Sequence, residues 1–178
     1  MKGRKTWERG YAAGLIDGEG CISIKKVSNF NTKRNVEYSL QININMTDIE
    51  SLDFMFGGFG GRLYKNLQSI ENRLPVNRWE ITREPAKKFL KQILPFLKVK
   101  KSQAELAIRF QELRKKEERE NGRYRPIPQF KLDKYEQFYQ AMRNMKISNA
   151  GVTTKRVEPT IISQVPLLVS DSLVLQEV

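Results

Sequence analysis

Tyr11-Ala12-Ala13-Gly14-Leu15-Ile16-Asp17-Gly18-Glu19-Gly20 is the stretch on which the reading of this chain turns. At about 100° per residue, a helix over it places Tyr11, Ala12, Leu15 and Ile16 on one side. Gly10, Ala13, Gly14 and Asp17 fall on the other. The first side is apolar enough to sit on a core. The second is nearly bare backbone, so a second helix can approach it closely. Past the helix, Glu19 stands between two glycines, where a turn presents a carboxylate together with bare backbone carbonyls. Such an oxygen set suits a hard divalent cation, with the Glu19 carboxylate and the Gly18 carbonyl as its candidate ligands.

The same segment resembles the signature of the LAGLIDADG homing endonucleases. Ala13-Gly14-Leu15-Ile16-Asp17-Gly18-Glu19-Gly20 matches it in order, with Ala12 for the usual leucine, Gly18 for alanine and Glu19 for the second aspartate. The last change keeps the carboxylate and lengthens its reach. Phe56-Gly57-Gly58, the Trp79-Glu80-Ile81 strand and the run Phe89-Leu90 to Pro95-Phe96-Leu97-Lys98-Val99-Lys100-Lys101-Ser102-Gln103-Ala104 also look like the family. The likeness spans about residues 7 to 145.

Composition narrows the function classes. With 178 residues there is room for one domain plus an appendage: a domain over 1–146, and an extension over 147–178 that is basic and then apolar. The formal net charge of +12 points to a polyanionic partner, nucleic acid before membrane. No apolar run is long enough to span a bilayer, and no apolar segment follows the basic N-terminus, so an intracellular protein is expected. The single cysteine, Cys21, excludes an internal disulfide. With no histidine at all, Ser-His-Asp and Cys-His nucleophile systems and HExxH zinc sites are excluded. Any catalysis must rest on carboxylates, lysines and a bound metal.

Local patterns predict the elements. Thr6 can cap a helix reaching about Asp17, and Cys21 to Val27 is strand-like. Val36 to Met46 alternates, with Val36, Tyr38, Leu40, Ile42, Ile44 and Met46 on one face and Glu37, Ser39, Gln41, Asn43 and Asn45 on the other. Thr47 to Glu50 reads as a capping box for a helix ended by Gly57-Gly58. Strands follow over Arg62–Asn66 and Asn77–Thr82, then a helix that has Pro85 in its first turn and stops at Pro95. Ser102 to Glu105 reads as a second capping box, opening a long helix to about Arg119. A last helix covers Leu132 to Met145. The order αββαββα is what the resemblance implies for one α+β LAGLIDADG domain: a saddle-like, four-stranded antiparallel DNA-binding sheet with C-terminal helices.

The polar face of Val36–Met46 is mostly amides and hydroxyls, groups that can both donate and accept and so can read base edges. Eleven residues at about 3.3 Å extend roughly 35 Å, enough for about nine or ten base pairs. The expected DNA-facing set is Ser23, Lys25, Glu37, Ser39, Gln41, Asn43, Arg62, Tyr64, Asn66, Arg78 and Glu80. Asn29, Asn31, Lys33 and Arg34 add to it from the polar loop, with Lys98 and Lys155 as phosphate contacts. A duplex cut needs two scissile phosphates, whereas one chain carries one strong site acid. Two copies meeting through Gly10, Ala13, Gly14 and Asp17 across a twofold axis would bring two Glu19 carboxylates together.

From the resemblance come further expectations. Single-motif members are homodimers on near-palindromic double-stranded DNA sites and cut across the minor groove. Lys100 matches the family lysine that polarises solvent near the scissile phosphate. Asp17 looks structural. The water-organising glutamine or asparagine is matched in position by Met46, which cannot orient a water; either Asn45 beside it substitutes, as the third catalytic residue with Glu19 and Lys100, or catalysis is weakened. The cofactor expected is Mg²⁺, with Mn²⁺ as a substitute and Ca²⁺ supporting binding without cleavage. The alternative on the same fold is a non-cleaving binder, either a maturase on intron RNA or a DNA-binding regulator.

Overall fold

The computed structural model describes residues 5–28, 36–65, 75–121 and 128–149. Its order is α1 (Thr6–Gly18), β1 (Gly20–Ser28), β2 (Val36–Met46), α2 (Ile49–Phe59), β3 (Arg62–Tyr64), β4 (Asn77–Thr82), α3 (Arg83–Ile93), a 3-10 turn (Leu94–Phe96), α4 (Lys101–Asn121) and α5 (Gln129–Asn149). The strands form one antiparallel sheet in the order β1-β2-β4-β3.

Alternation decides which face of the sheet is covered. Ile22 and Ile24 of β1, Tyr38, Leu40, Ile42 and Ile44 of β2, and Trp79 and Ile81 of β4 are buried under the helices. They meet Ala12, Ala13 and Ile16 of α1, Leu52 and Met55 of α2, Phe89, Leu90 and Ile93 of α3, Ala104, Ala107 and Phe110 of α4, and Tyr135 and Met142 of α5. The odd-numbered residues of β2 and the even-numbered ones of β4 point the other way, toward an open polar face.

Several boundaries differ from the local expectation. Lys5, not Thr6, occupies the N-cap of α1, without a side-chain cap bond. Asp48, not Thr47, caps α2, its carboxylate accepting from the Glu50 and Ser51 backbone N–H groups. That helix runs through Gly57-Gly58, because its stop is set by Gly60 and Gly61, with φ of +73° and +96°. A Cβ on Gly61 would lie 2.5 Å from the Glu80 carbonyl oxygen, so the chain can turn there only as glycine. Trp79 Nε1 secures the turn by donating to the Gly60 carbonyl at 2.7 Å. Helix α4 starts at Lys101, so Ser102 lies inside it.

Candidate DNA-cleavage and dimer surface

The open sheet face is arranged in cross-strand rows. Nearest the end of α1, Asn45 pairs with Arg78, which pairs with Tyr64. The next row is Cys21–Asn43–Glu80–Arg62, then Ser23–Gln41–Thr82, then Lys25–Ser39. Gly20, the first residue of β1, pairs with Ile44, so Glu19 immediately precedes the sheet at the end of β2 that carries Asn45. Glu19 is exposed there, at the C-cap of α1, its N–H donating to the Leu15 carbonyl at 2.9 Å. The glycine after it is a packing requirement: a Cβ on Gly20 would stand 2.7 Å from Ile16 Cα and 2.8 Å from the Ile16 carbonyl oxygen.

A reciprocal latch holds this end of α1. Asp17 Oδ2 accepts from the backbone N–H groups of Lys98 (2.7 Å) and Val99 (3.2 Å), and Oδ1 from that of Lys100 (2.9 Å). In return Lys100 Nζ donates to the Ile16 and Asp17 carbonyls at 2.8 and 2.6 Å. Burial pushes the Asp17 carboxyl up, yet the three backbone donors and the Lys100 charge outweigh it and hold the carboxyl below its ordinary value. The Lys100 ammonium also answers the negative end of the helix. Lys100 and Glu19 are thus two neighbours on one helix terminus, though 81 residues separate them in sequence.

The open arc of α1 is rotated from the sequence expectation. Ala13 is buried inside the protomer with Ala12 and Ile16, and the Asp17 carboxylate is spent on the latch, so neither is free to meet a second helix. Tyr11, expected in the core, is 43% exposed and shares a hydrogen bond with Ser51 Oγ. The reason is that the core arc centres on Ala12 and Ile16. What remains outward, within about 100° of arc, is Trp7, Gly10, Tyr11, Gly14 and Gly18. A Cβ on Gly10, Gly14 or Gly18 would meet nothing within 4 Å in the protomer.

The reading face has corrections too. Glu37, placed in the expected DNA-facing set, instead bridges Arg83 (2.7 Å) and Arg114 (3.2 Å), because the N-terminus of α3 and the buried Arg114 of α4 converge on it. Arg83 adopts φ of +57° there. Ser23 Oγ donates to the Gln41 carbonyl at 3.2 Å, and Asn45 Oδ1 accepts from Arg78 Nε at 2.7 Å. Lys25 and Arg62 are exposed, as is Lys98; Ser39, Gln41, Asn43, Tyr64, Arg78 and Glu80 are half-buried on the open face. Asn29, Asn31, Lys33, Arg34, Asn66 and Lys155 lie outside the described residues. Met46 faces the core side, opposite Asn77 and packed against the hydrophobic cluster, whereas Asn45 shares the open face with Cys21 and Asn43.

Among the described residues no three His, Cys, Asp or Glu side chains gather as a metal site. One protomer contributes the exposed Glu19 carboxylate and the Gly18 carbonyl, an oxygen-only donor set that fits a hard divalent cation. A second copy would be needed to enlarge it. Among the described residues no helix is long and apolar enough to cross a membrane.

The model of the LAGLIDADG endonuclease family matches residues 12–117. No curated protein matches the chain. Among solved structures, the homing endonuclease I-CvuI in complex with the I-CreI target superposes with a TM-score of 0.61 at 16% identity, over 84% of this chain and 85% of that one. The archaeal intron-encoded homing endonuclease I-Vdi141I, complexed with DNA, gives 0.62 at 15% identity, over 90% and 95%. The homing endonuclease I-TnaI gives 0.55 at 18% identity, over 79% and 97%. At such identities the likeness establishes the α+β fold.

Proposed function

The chain belongs to the LAGLIDADG endonuclease family, and we propose that it is a site-specific, divalent-metal-dependent double-strand DNA endonuclease acting as a homodimer. One observation carries this reading. The exposed Glu19, the Lys100 ammonium on the Ile16 and Asp17 carbonyls, and Gly18, the last of the three open glycines, all lie at the C-terminal end of α1, which supports the reading.

The parts have distinct tasks. The open sheet face lies along the duplex, with Gln41, Asn43, Arg62, Arg78 and Glu80 at the base edges and Lys25 and Lys98 on phosphates. Glu19 and the Gly18 carbonyl would hold Mg²⁺, which when bound would supply charge neutralisation and lower the pKa of water. Lys100 fastens the helix terminus, so that Glu19 is presented in one place. Asn45, exposed on the open face and held by Arg78, is the amide that would align a water; Met46, on the core side, cannot. Two copies meeting along the Gly10–Gly14–Gly18 arc, with α1 termini toward the same DNA, place two Glu19 carboxylates at two phosphates. The net charge of +12 supports the polyanionic partner.

The test is site selection on a plasmid library of randomised long sites, run with Mg²⁺ and in parallel with Ca²⁺, followed by sequencing of ends and of bound duplexes. A recurrent twofold-symmetric site cut in Mg²⁺ and only bound in Ca²⁺ is expected. Bound sites that are never cut would replace this reading with the non-cleaving regulator. Binding of intron transcripts but of no duplex would replace it with the maturase.

A further inference from the structure

Helix α5 carries a cation to the cleavage end of the sheet. It runs antiparallel to β1, anchored by Glu136, which accepts from Lys26 Nζ at 2.7 Å and from the Tyr38 hydroxyl. From Glu136 to Lys146 is ten helical residues, about 15 Å. From Lys26 back to Cys21 is five strand residues, about 16 Å. The two rises match, and Lys146 Nζ arrives 3.1 Å from Cys21 Sγ.

Cys21 belongs to the open-face row Cys21–Asn43–Glu80–Arg62. It is the second residue of β1, two residues past Glu19 at the C-cap of α1. Lys146 is half-buried, and its ammonium donates to a thiol, a weak acceptor. An ammonium with three donors and so weak a neighbour, at the margin of a face suited to duplex DNA, matches a phosphate oxygen. We propose that Lys146 is a phosphate contact flanking the cleavage centre, within one or two nucleotides of the phosphate that Glu19 serves. The proposal rests on the DNA-binding reading above. A merely structural alternative exists, since Lys146 stands in the last turn of α5 and offsets that helix's negative end.

Salt dependence separates the two. Full-length protein, Lys146→Gln and Lys146→Arg are titrated onto a selected duplex in Ca²⁺ between 50 and 200 mM salt, and each variant's melting curve is recorded. Each lost phosphate contact lowers the slope of log affinity against log salt by about 0.9. The parent's advantage over Lys146→Gln should therefore shrink about 3.5-fold over that range for one contact, and about 12-fold for the two of a dimer. Lys146→Arg should keep the parent's slope. A Lys146→Gln protein with the parent's slope overturns the proposal, and so does a salt-independent loss of affinity with lowered melting, which marks a helix anchor. If the parent itself binds no duplex, the DNA reading falls and takes this inference with it; a parent that binds with a steep slope unaltered by Lys146→Gln refutes Lys146 alone.

Discussion

Replacing Asp17 by asparagine removes the latch while changing almost no volume. The carboxylate accepts three backbone N–H groups, two at Oδ2 and one at Oδ1. Hydrogen bonds to a charged acceptor contribute about 1.5–3 kcal/mol each, and neutral ones about 0.5–1.5. Asparagine has one oxygen. If it serves Lys98 and Val99, its NH₂ faces the Lys100 N–H, so one bond is lost and two become neutral. For a half-buried group the cost is about 2–3 kcal/mol. At about 2–4 °C per kcal/mol for a chain of this size, the melting temperature falls by about 5–10 °C. Because the folded-state pKa of Asp17 is depressed, its contribution is complete above the ordinary carboxylate value of 3.8 and fades as pH falls further. The gap between parent and variant should be flat from pH 7 to 5 and narrow toward pH 3. Thermal and urea unfolding at fixed protein concentration, followed by circular dichroism, would read both. A variant melting within about 1 °C of the parent at pH 7, or a gap unchanged at pH 3, refutes the latch.

Glu19→Gln should abolish cutting in Mg²⁺ while leaving affinity in Ca²⁺ within a few-fold; collapse of binding would make Glu19 structural. Gly14→Leu should fold, since a Cβ there meets nothing within 4 Å, and should gain about 0.5–1 kcal/mol of helix propensity while sedimenting as a monomer. A dimeric, fully active Gly14→Leu protein would defeat the interface assignment. Gly20→Ala forces a Cβ against the Ile16 backbone and should cost about 1–3 kcal/mol in urea unfolding. The hydrogen bonds from Lys26 and Tyr38 hold the Glu136 carboxyl down to about 2, so Glu136→Gln should lose about 1 kcal/mol, screening discounted. That loss should be constant above about pH 5 and vanish as the parent's carboxyl protonates toward pH 2; an equal loss at pH 2 and 7 would show that the ion pair is not its source.

Much of this protein is legible from short-range pattern. The strict alternation of Val36–Met46 determines which side of β2 is buried, because a strand's period is two whatever lies around it. Trp79 and Ile81 follow the same rule. The acidic glycine-rich end of α1 singles out Glu19 as a candidate, since two flanking glycines carry no side chains to cover its carboxylate. Local signals also mark nearly every helix, though they misplace caps by a residue or two, where Asp48 competes with Thr47 for the same backbone donors.

Tertiary structure alone decides what depends on distant segments. Which arc of α1 stays open is set by where the core sits, and that buries Ala13 and exposes Trp7 and Tyr11. The partners of Asp17 are 81 to 83 residues away, and the arginines that occupy Glu37 are 46 and 77 away. Lys146 meets Cys21 across 125 residues, only because helical and strand rises happen to agree along α5 and β1. Periodicity reports a residue's own turn or pleat; it carries no information on which remote donor or acceptor packing will bring to it.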